Sequence, residues 1–201
     1  MSNQPRARYL KKAAQRVIGK WGFSTSGANP PDSKGNGAMA DPDLLIRMHA
    51  SPILHSGNFE RTETFVQHGT TSCRSHCIAV ARLSLALAGW FRVRHDPASL
   101  IRGALLHDFF LYDWHEKQPA TGLHGYTHPR RALENASLEF EVNAVERDII
   151  LRHMFPLTLI PPRRTESWLV CLADKICSVA EILRLQPIEF PFAADGMLPG
   201  N

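Results

Sequence analysis

The sequence contains no apolar run approaching the ~20 residues that a helix needs to cross a bilayer, so a helical membrane span is not expected. Its opening residues lack the apolar core of a secretory signal, which makes the cytoplasm the expected location. Cysteine is sparse: Cys73, Cys77, Cys171 and Cys177 include no CxxC pair and fall in helical patterns, as reduced and partly buried thiols do. A disulfide framework is thereby excluded. Cys73 and Cys77 flank His76, but no second ligand pair at zinc-ribbon spacing follows, so a structural zinc site is not expected. Convincing apolar–polar alternation is also absent, and with it the signal of a half-buried sheet. There is no internal repeat.

The charge that is present is unevenly placed. Residues 1–38 hold Arg6, Arg8, Lys11, Lys12, Arg16, Lys20 and Lys34 against the single acid Asp32, whereas the whole chain has a net charge of +4. The remainder is slightly acidic, so no nucleic-acid partner is expected for the folded part. Arg6 to Trp21 has the spacing of a short basic amphipathic helix, and Ser24 to Asp41 is rich in Gly, Ser, Asn and Pro with little to bury. Residues 1–42 are therefore read as a flexible basic tail and linker, and residues 43–201 as one folded domain.

That domain reads as all-α, a single helical bundle. Asp96-Pro97 has the form of a helix start, with Asp as cap and Pro in the first turn. Asn143 followed by Glu146 has the form of a capping box. Ser72 to Phe91 is thick with Ala and Leu, Pro129 opens the segment PRRALENA, and Thr165 is placed to cap the long segment that follows it. In that last segment Trp168, Cys171, Leu172, Val179 and Leu183 form an apolar stripe.

Histidines and aspartates stand at the ends of these predicted helices. His76 is near the start of one, His107 and Asp108 close the next, His128 precedes Pro129, and His153 ends the Asn143 helix. Asp174 lies mid-helix among apolar residues, where an unpaired carboxylate costs several kcal/mol and a divalent cation would offset that cost. Imidazole nitrogen and carboxylate oxygen suit Fe, Mn, Zn, Ni or Co, and Mg is included among the candidate ions.

The order of these residues resembles that of a known superfamily. His76, the doublet in GALLHDFF and the aspartate in LADKI reproduce the H…HD…D order of the HD-domain metal-dependent phosphohydrolases, over roughly Gly69 to Leu185. The resemblance implies an HD-type helical bundle in which His76, His107, Asp108 and Asp174 bind one divalent metal ion. His128 and His153 match the added histidines of binuclear members, in which Asp108 would bridge a second ion. Lys175 resembles the lysine that often follows the last aspartate, and it is assigned with Asp108 to the catalytic residues. His124, in the stretch HGYTH, is read as a substrate contact, while His68, Asp113, His115 and Glu116 are candidates for the pocket mouth. No GYP triad follows His153, where the chain reads MFPLT, so cleavage of cyclic dinucleotides is not implied.

The resemblance implies metal-dependent hydrolysis of a phosphate mono- or diester, on a nucleotide or another small phosphorylated metabolite, by activated water. The alternatives are a non-catalytic metal- or nucleotide-binding regulatory module and a di-iron HD-type oxygenase. A homodimer is compatible with all three.

Overall fold

The computed structural model describes residues 41–113 and 124–183. The expected tail therefore lies outside the described residues, except that Asp41 caps the first helix and Pro42 opens it. The described chain is mostly helical. Its helices are α1 (Pro42–Leu54), α2 (Gly57–Arg61), α3 (Cys73–Phe91), α4 (Pro97–Leu106), α5 (His124–Glu139), α6 (Ala144–Arg152) and α7 (Thr165–Ile182). A two-stranded antiparallel ribbon, β1 (Val66–His68) and β2 (Thr71–Ser72), leads into α3. No helix among the described residues is long and apolar enough to cross a membrane.

The bundle is built around α4. Asp96 accepts a hydrogen bond from the Ala98 amide and Pro97 occupies the first turn, as the dipeptide predicts. From Ser99 onward nearly every residue is buried, through Leu106 and on to His107, Asp108, Phe109 and Phe110. A helix buried on all faces belongs at the centre of the packing. The α4 helix contacts α1, α3, α5, α6 and α7, so its C-terminal end delivers His107 and Asp108 to the middle of the molecule.

The other starts follow from capping. Ser72 Oγ accepts from the Ser75 amide and sets the first turn of α3, which places His76 one turn into the helix. Asn143 and Glu146 form the expected capping box, and the buried Glu146 also accepts from Arg102 Nε at 2.6 Å. Gly69, at φ +62°, turns β1 into β2. A Cβ there would also stand 3.2 Å from the backbone oxygen of Glu181, so this turn needs glycine for both conformation and contact.

Three sequence expectations are corrected. The helix containing PRRALENA begins at His124 rather than Pro129, which lies inside α5. Proline holds φ near the helical value, so the helix runs through Pro129 at the loss of one bond, that to the Gly125 carbonyl. Thr165 is the first residue of α7 and not its cap: Arg164 holds the cap position without a side-chain hydrogen bond. Within the apolar stripe of α7, Trp168, Leu172 and Val179 are substantially exposed, whereas the buried face is Leu169, Val170, Cys171, Ala173, Asp174 and Cys177.

The approach of α4 to α6 leaves no room at Gly103. A Cβ there would meet Ile149 Cδ1 at 2.4 Å and its Cβ and Cγ2 at 3.1 Å, with Ile149 fully buried. Gly103→Ala is therefore expected to cost about 1–3 kcal/mol of stability by overpacking. The midpoint of urea unfolding measures it, and an unchanged midpoint would show that α4 and α6 are not packed this closely.

Candidate metal centre

Five helices, α3 to α7, bring side chains together at Asp108. It follows the end of α4, His76 comes from α3, His128 from α5, His153 from the C-cap of α6, and Asp174 from the middle of α7. All six of these side chains, His107 included, are buried. The two oxygens of Asp108 face different pairs of imidazoles. Oδ2 lies 3.3 Å from His107 Nε2 and 3.9 Å from His76 Nε2. Oδ1 lies 3.2 Å from His128 Nε2 and 3.4 Å from His153 Nε2. Asp174 Oδ1 completes the first group, at 3.3 Å from His76 Nε2 and 4.0 Å from His107 Nε2. Two ligand-like groups thus share one carboxylate: His76, His107 and Asp108, and Asp108, His128 and His153.

The far sides of the rings decide which nitrogens are available. His107 Nδ1 donates to the Ala104 carbonyl at 2.7 Å, and His153 Nδ1 to the Ile150 carbonyl at 2.8 Å. His76 Nδ1 lies 3.0 Å from both oxygens of Glu181. A proton placed on each Nδ1 leaves the Nε2 lone pair directed at the cluster, the arrangement in which histidines ligate metals.

Burial without compensation marks the same atoms. His76 Nε2, His107 Nε2 and Asp108 Oδ1 are buried and lack a hydrogen-bond partner among the described residues. The other buried acids differ: Glu146 is held by Arg102 and by the Asn143 amide, and Glu166 accepts from the Asp96 amide at 2.8 Å. His128 Nε2 and His153 Nε2 stand 2.8 Å apart, a separation compatible with two ligands at ~2.1 Å from a common ion. The buried His and Asp groups could therefore hold a metal ion, and the orphaned atoms fit that role.

Electrostatics favour the charged forms of His76, His107, Asp108 and Asp174. Burial opposes the charged form of His76, but Asp174 and Glu181 outweigh it and hold the ring well above the ordinary histidine range. Asp108 does the same for His107. Burial would raise the carboxyls of Asp108 and Asp174, yet the surrounding imidazoles hold both well below the ordinary carboxylate range. His153 is the exception: burial dominates and pushes it down to about 4, leaving the ring neutral.

The cluster opens onto a cleft of about 560 Å³, within the usual size for a small-molecule site. Asp108, His128, His153 and Asp174 form its floor, and Gln67, His68, Lys175 and Ser178 supply its polar walls. Lys175 Nζ is held at 2.5 Å by the His153 carbonyl and at 3.2 Å by Asp174 Oδ2. It is placed to orient the Asp174 carboxylate while still lining the cleft. The side chain of His124 lies outside the described residues, as do His115 and Glu116. Asp113 is described but does not line this cleft, whereas His68 does.

Three residues were missed by sequence reasoning. Glu181, behind His76, stands seven residues after Asp174 on the same face of α7, with Ser178 between them donating to Asp174 Oδ1 at 3.1 Å. That two-turn spacing was a usable signal. Gln67, whose side-chain amide donates to Asp108 Oδ2, lies in a two-strand turn with no periodicity to find it by. The chain matches no protein-family model, no curated protein and no solved structure.

Elemental analysis of protein purified without a chelating column should find about two metal equivalents, falling towards one in His153→Ala. Equal content in both proteins would remove His128 and His153 from the ligand set. Metal uptake should also strengthen with pH. A cation must displace the protons that Asp174, Glu181 and Asp108 hold on His76 and His107, so affinity rises as pH climbs through their raised pKa values. In stripped protein those same protonated rings stabilise the fold fully below about pH 6.5, and that contribution fades as pH rises through the folded-state values. The gain in Tm on adding Mn²⁺ is therefore expected to be larger at pH 8 than at pH 6. A gain that is equal or reversed would contradict this account of the charges.

Proposed function

We propose that the protein is a metal-dependent phosphohydrolase that cleaves a phosphate mono- or diester of a small metabolite, with the helical architecture of an HD domain. The observation that carries the reading is the shared Asp108 carboxylate, with one oxygen towards His76 and His107 and the other towards His128 and His153, on the floor of an open cleft. The H…HD…D order of the sequence supports it, since the same residues meet in space.

The fit of the residues is to one or two divalent ions: His76, His107, Asp108 and Asp174 would hold the first, and Asp108, His128 and His153 the second. When bound, such ions lower the pKa of water and neutralise charge developing on phosphoryl oxygens. The chain's own groups provide the rest. Gln67 fixes the rotation of Asp108 by donating to Oδ2, leaving Oδ1 directed at the histidine pair. Asp108 Oδ1, with His128 and His153 Nε2 at 3.2 and 3.4 Å, faces the cleft and can accept a proton-bearing oxygen there. Lys175 holds Asp174 in place and carries a positive charge at the cleft wall, where a phosphate would gain from it. Met154, Pro156 and Leu157 form an apolar side suited to the non-phosphate part of the ester.

With Mn²⁺ or Fe²⁺ restored, the full chain should release p-nitrophenol from p-nitrophenyl phosphate or its bis-ester. Asp108→Ala should lower that rate by on the order of 10³-fold, taking loss of a preorganised electrostatic group as the guide, while circular dichroism shows the helices retained. Turnover in Asp108→Ala equal to that of the wild type would overturn the proposal. Bound metal without product from either ester would transfer the protein to the non-catalytic reading.

A further inference from the structure

A second cleft, of about 420 Å³, lies between α5 and α6 and shares no lining residue with the metal-side cleft. Arg130 of α5 and Arg147 and Arg152 of α6 line it, with Thr158 from the loop beyond α6 and Glu134 as its one acid. The charges within it are not internally balanced. Among the described residues, the side chains of Arg130 and Arg147 enter no ion pair or hydrogen bond. Glu134 is 68% exposed and lies 4.0 Å from Arg131, outside the cleft. Arg152 Nε is buried and donates no hydrogen bond, its nearest carboxylate oxygen being Asp148 Oδ1 at 3.7 Å. The other oxygen of Asp148 is engaged by the Arg163 amide at 2.9 Å and by Ser167 Oγ at 2.7 Å. Thr158 Oγ1 is likewise buried with no partner.

Paired surface arginines are commonplace, and they ordinarily find carboxylates or water. Here three guanidinium groups line one concavity: Arg152 is paired with Asp148 at 3.7 Å, Arg130 and Arg147 have no carboxylate among the described residues, and neither Arg152 Nε nor Thr158 Oγ1 has an acceptor among them. Such a set repels itself when empty and is neutralised by an anion that can accept several hydrogen bonds at once, as a phosphate does. The remaining lining is apolar: Tyr126, Leu133, Leu151 and Ile160, of which Tyr126 is 53% and Ile160 52% exposed. A flat apolar body can rest there while its anionic end faces the arginines.

We infer that this cleft is a second ligand site, which takes a small organic phosphate of nucleotide type and is separate from the metal centre. The phosphate lies among Arg130, Arg147 and Arg152, and the base packs against Tyr126 and Ile160. Its walls adjoin the metal centre through the chain, since Pro129 and Arg130 follow His128, and Leu151 and Arg152 precede His153. The inference does not depend on the phosphohydrolase reading, because none of its residues belongs to the ligand cluster.

Calorimetric titration of the full chain, as purified, with inorganic phosphate and with adenosine 5′-monophosphate tests it. The double variant Arg130→Met/Arg147→Met should bind both probes at least about tenfold more weakly at this site, as the loss of charge-assisted hydrogen bonds implies. Thr158→Val, nearly isosteric, should weaken binding severalfold, and both proteins should keep the metal content of the wild type. Adenosine monophosphate should bind more tightly than phosphate, and Tyr126→Ala should abolish that preference. Isotherms that coincide for wild type and the double variant would overturn the assignment. So would a wild-type chain that takes up neither probe, or one in which every bound equivalent is lost with His153→Ala instead.

Discussion

Asp108 has 2% of its surface exposed and sits at the end of a helix that is itself buried on every side. A carboxylate in that position has little contact with solvent, so most of what holds its charge has to come from the surrounding side chains. The bundle meets that demand with four imidazoles, two to each oxygen, drawn from α3, α5 and the ends of α4 and α6. The imidazoles in turn constrain the fold. Their outer nitrogens need acceptors, and these are the last carbonyls of α4 and α6 and the carboxylate of Glu181. Helix termini leave such carbonyls unpaired, so placing a histidine at the C-cap satisfies the helix end and fixes the ring together. Packing of α4, the positions of the helix ends and the polarity of the centre are thus one linked arrangement.

The parts of this arrangement that were legible in the sequence are those with local causes. Asp96-Pro97, Ser72 and the Asn143–Glu146 box mark starts because each side chain bonds its own helix, and those bonds are present. His76, His107, Asp108, His128, His153 and Asp174 could be singled out because they stand at helix ends or interrupt an apolar face, and the structure brings all six together. Contacts that depend on the packing of distant segments were not legible. The Gln67 amide reaches Asp108 from a ribbon with no pattern to reveal it, and Glu181 meets His76 across 105 residues. The face of α7 was misread for a physical reason. Trp168, Leu172 and Val179 lie on the outer side, while the inner side carries Leu169, Val170, Cys171, Ala173, Asp174 and Cys177. Both sides hold leucine and valine, so hydrophobicity does not separate them, and the aspartate that marks the inner one meets His76 of α3 at 3.3 Å, a partner distant in sequence.

A rigid frame and an open face divide the work in this molecule. Arg102 with Glu146, the Asp96 amide with Glu166, and the tight passage at Gly103 lock α4 against α6 and α7. The cleft is walled by Gln67 and His68 of β1 and by Met154, Pro156 and Leu157 after His153, together with Lys175 and Ser178 of α7. Most of the ligand-like atoms thus sit on helices or helix ends, and connections complete the mouth around them, as in a site held by a rigid scaffold.

A carboxylate shared between two positions also cannot serve both at full strength. The His76 and His107 side has Asp174 in addition to Asp108, with Glu181 behind His76, so it gathers most of the negative charge in the cluster. The His128 and His153 side has only the remaining oxygen of Asp108, and the Lys175 ammonium rests on the His153 carbonyl. In the absence of an ion its two nitrogens already hydrogen-bond to each other at 2.8 Å, and an ion would have to break that contact. The first position would therefore fill before the second, and its ion would draw on the same carboxylate that the second needs. The side of the cluster that opens most directly to the cleft, through His128 and His153, would then be the side with the less firmly held ion.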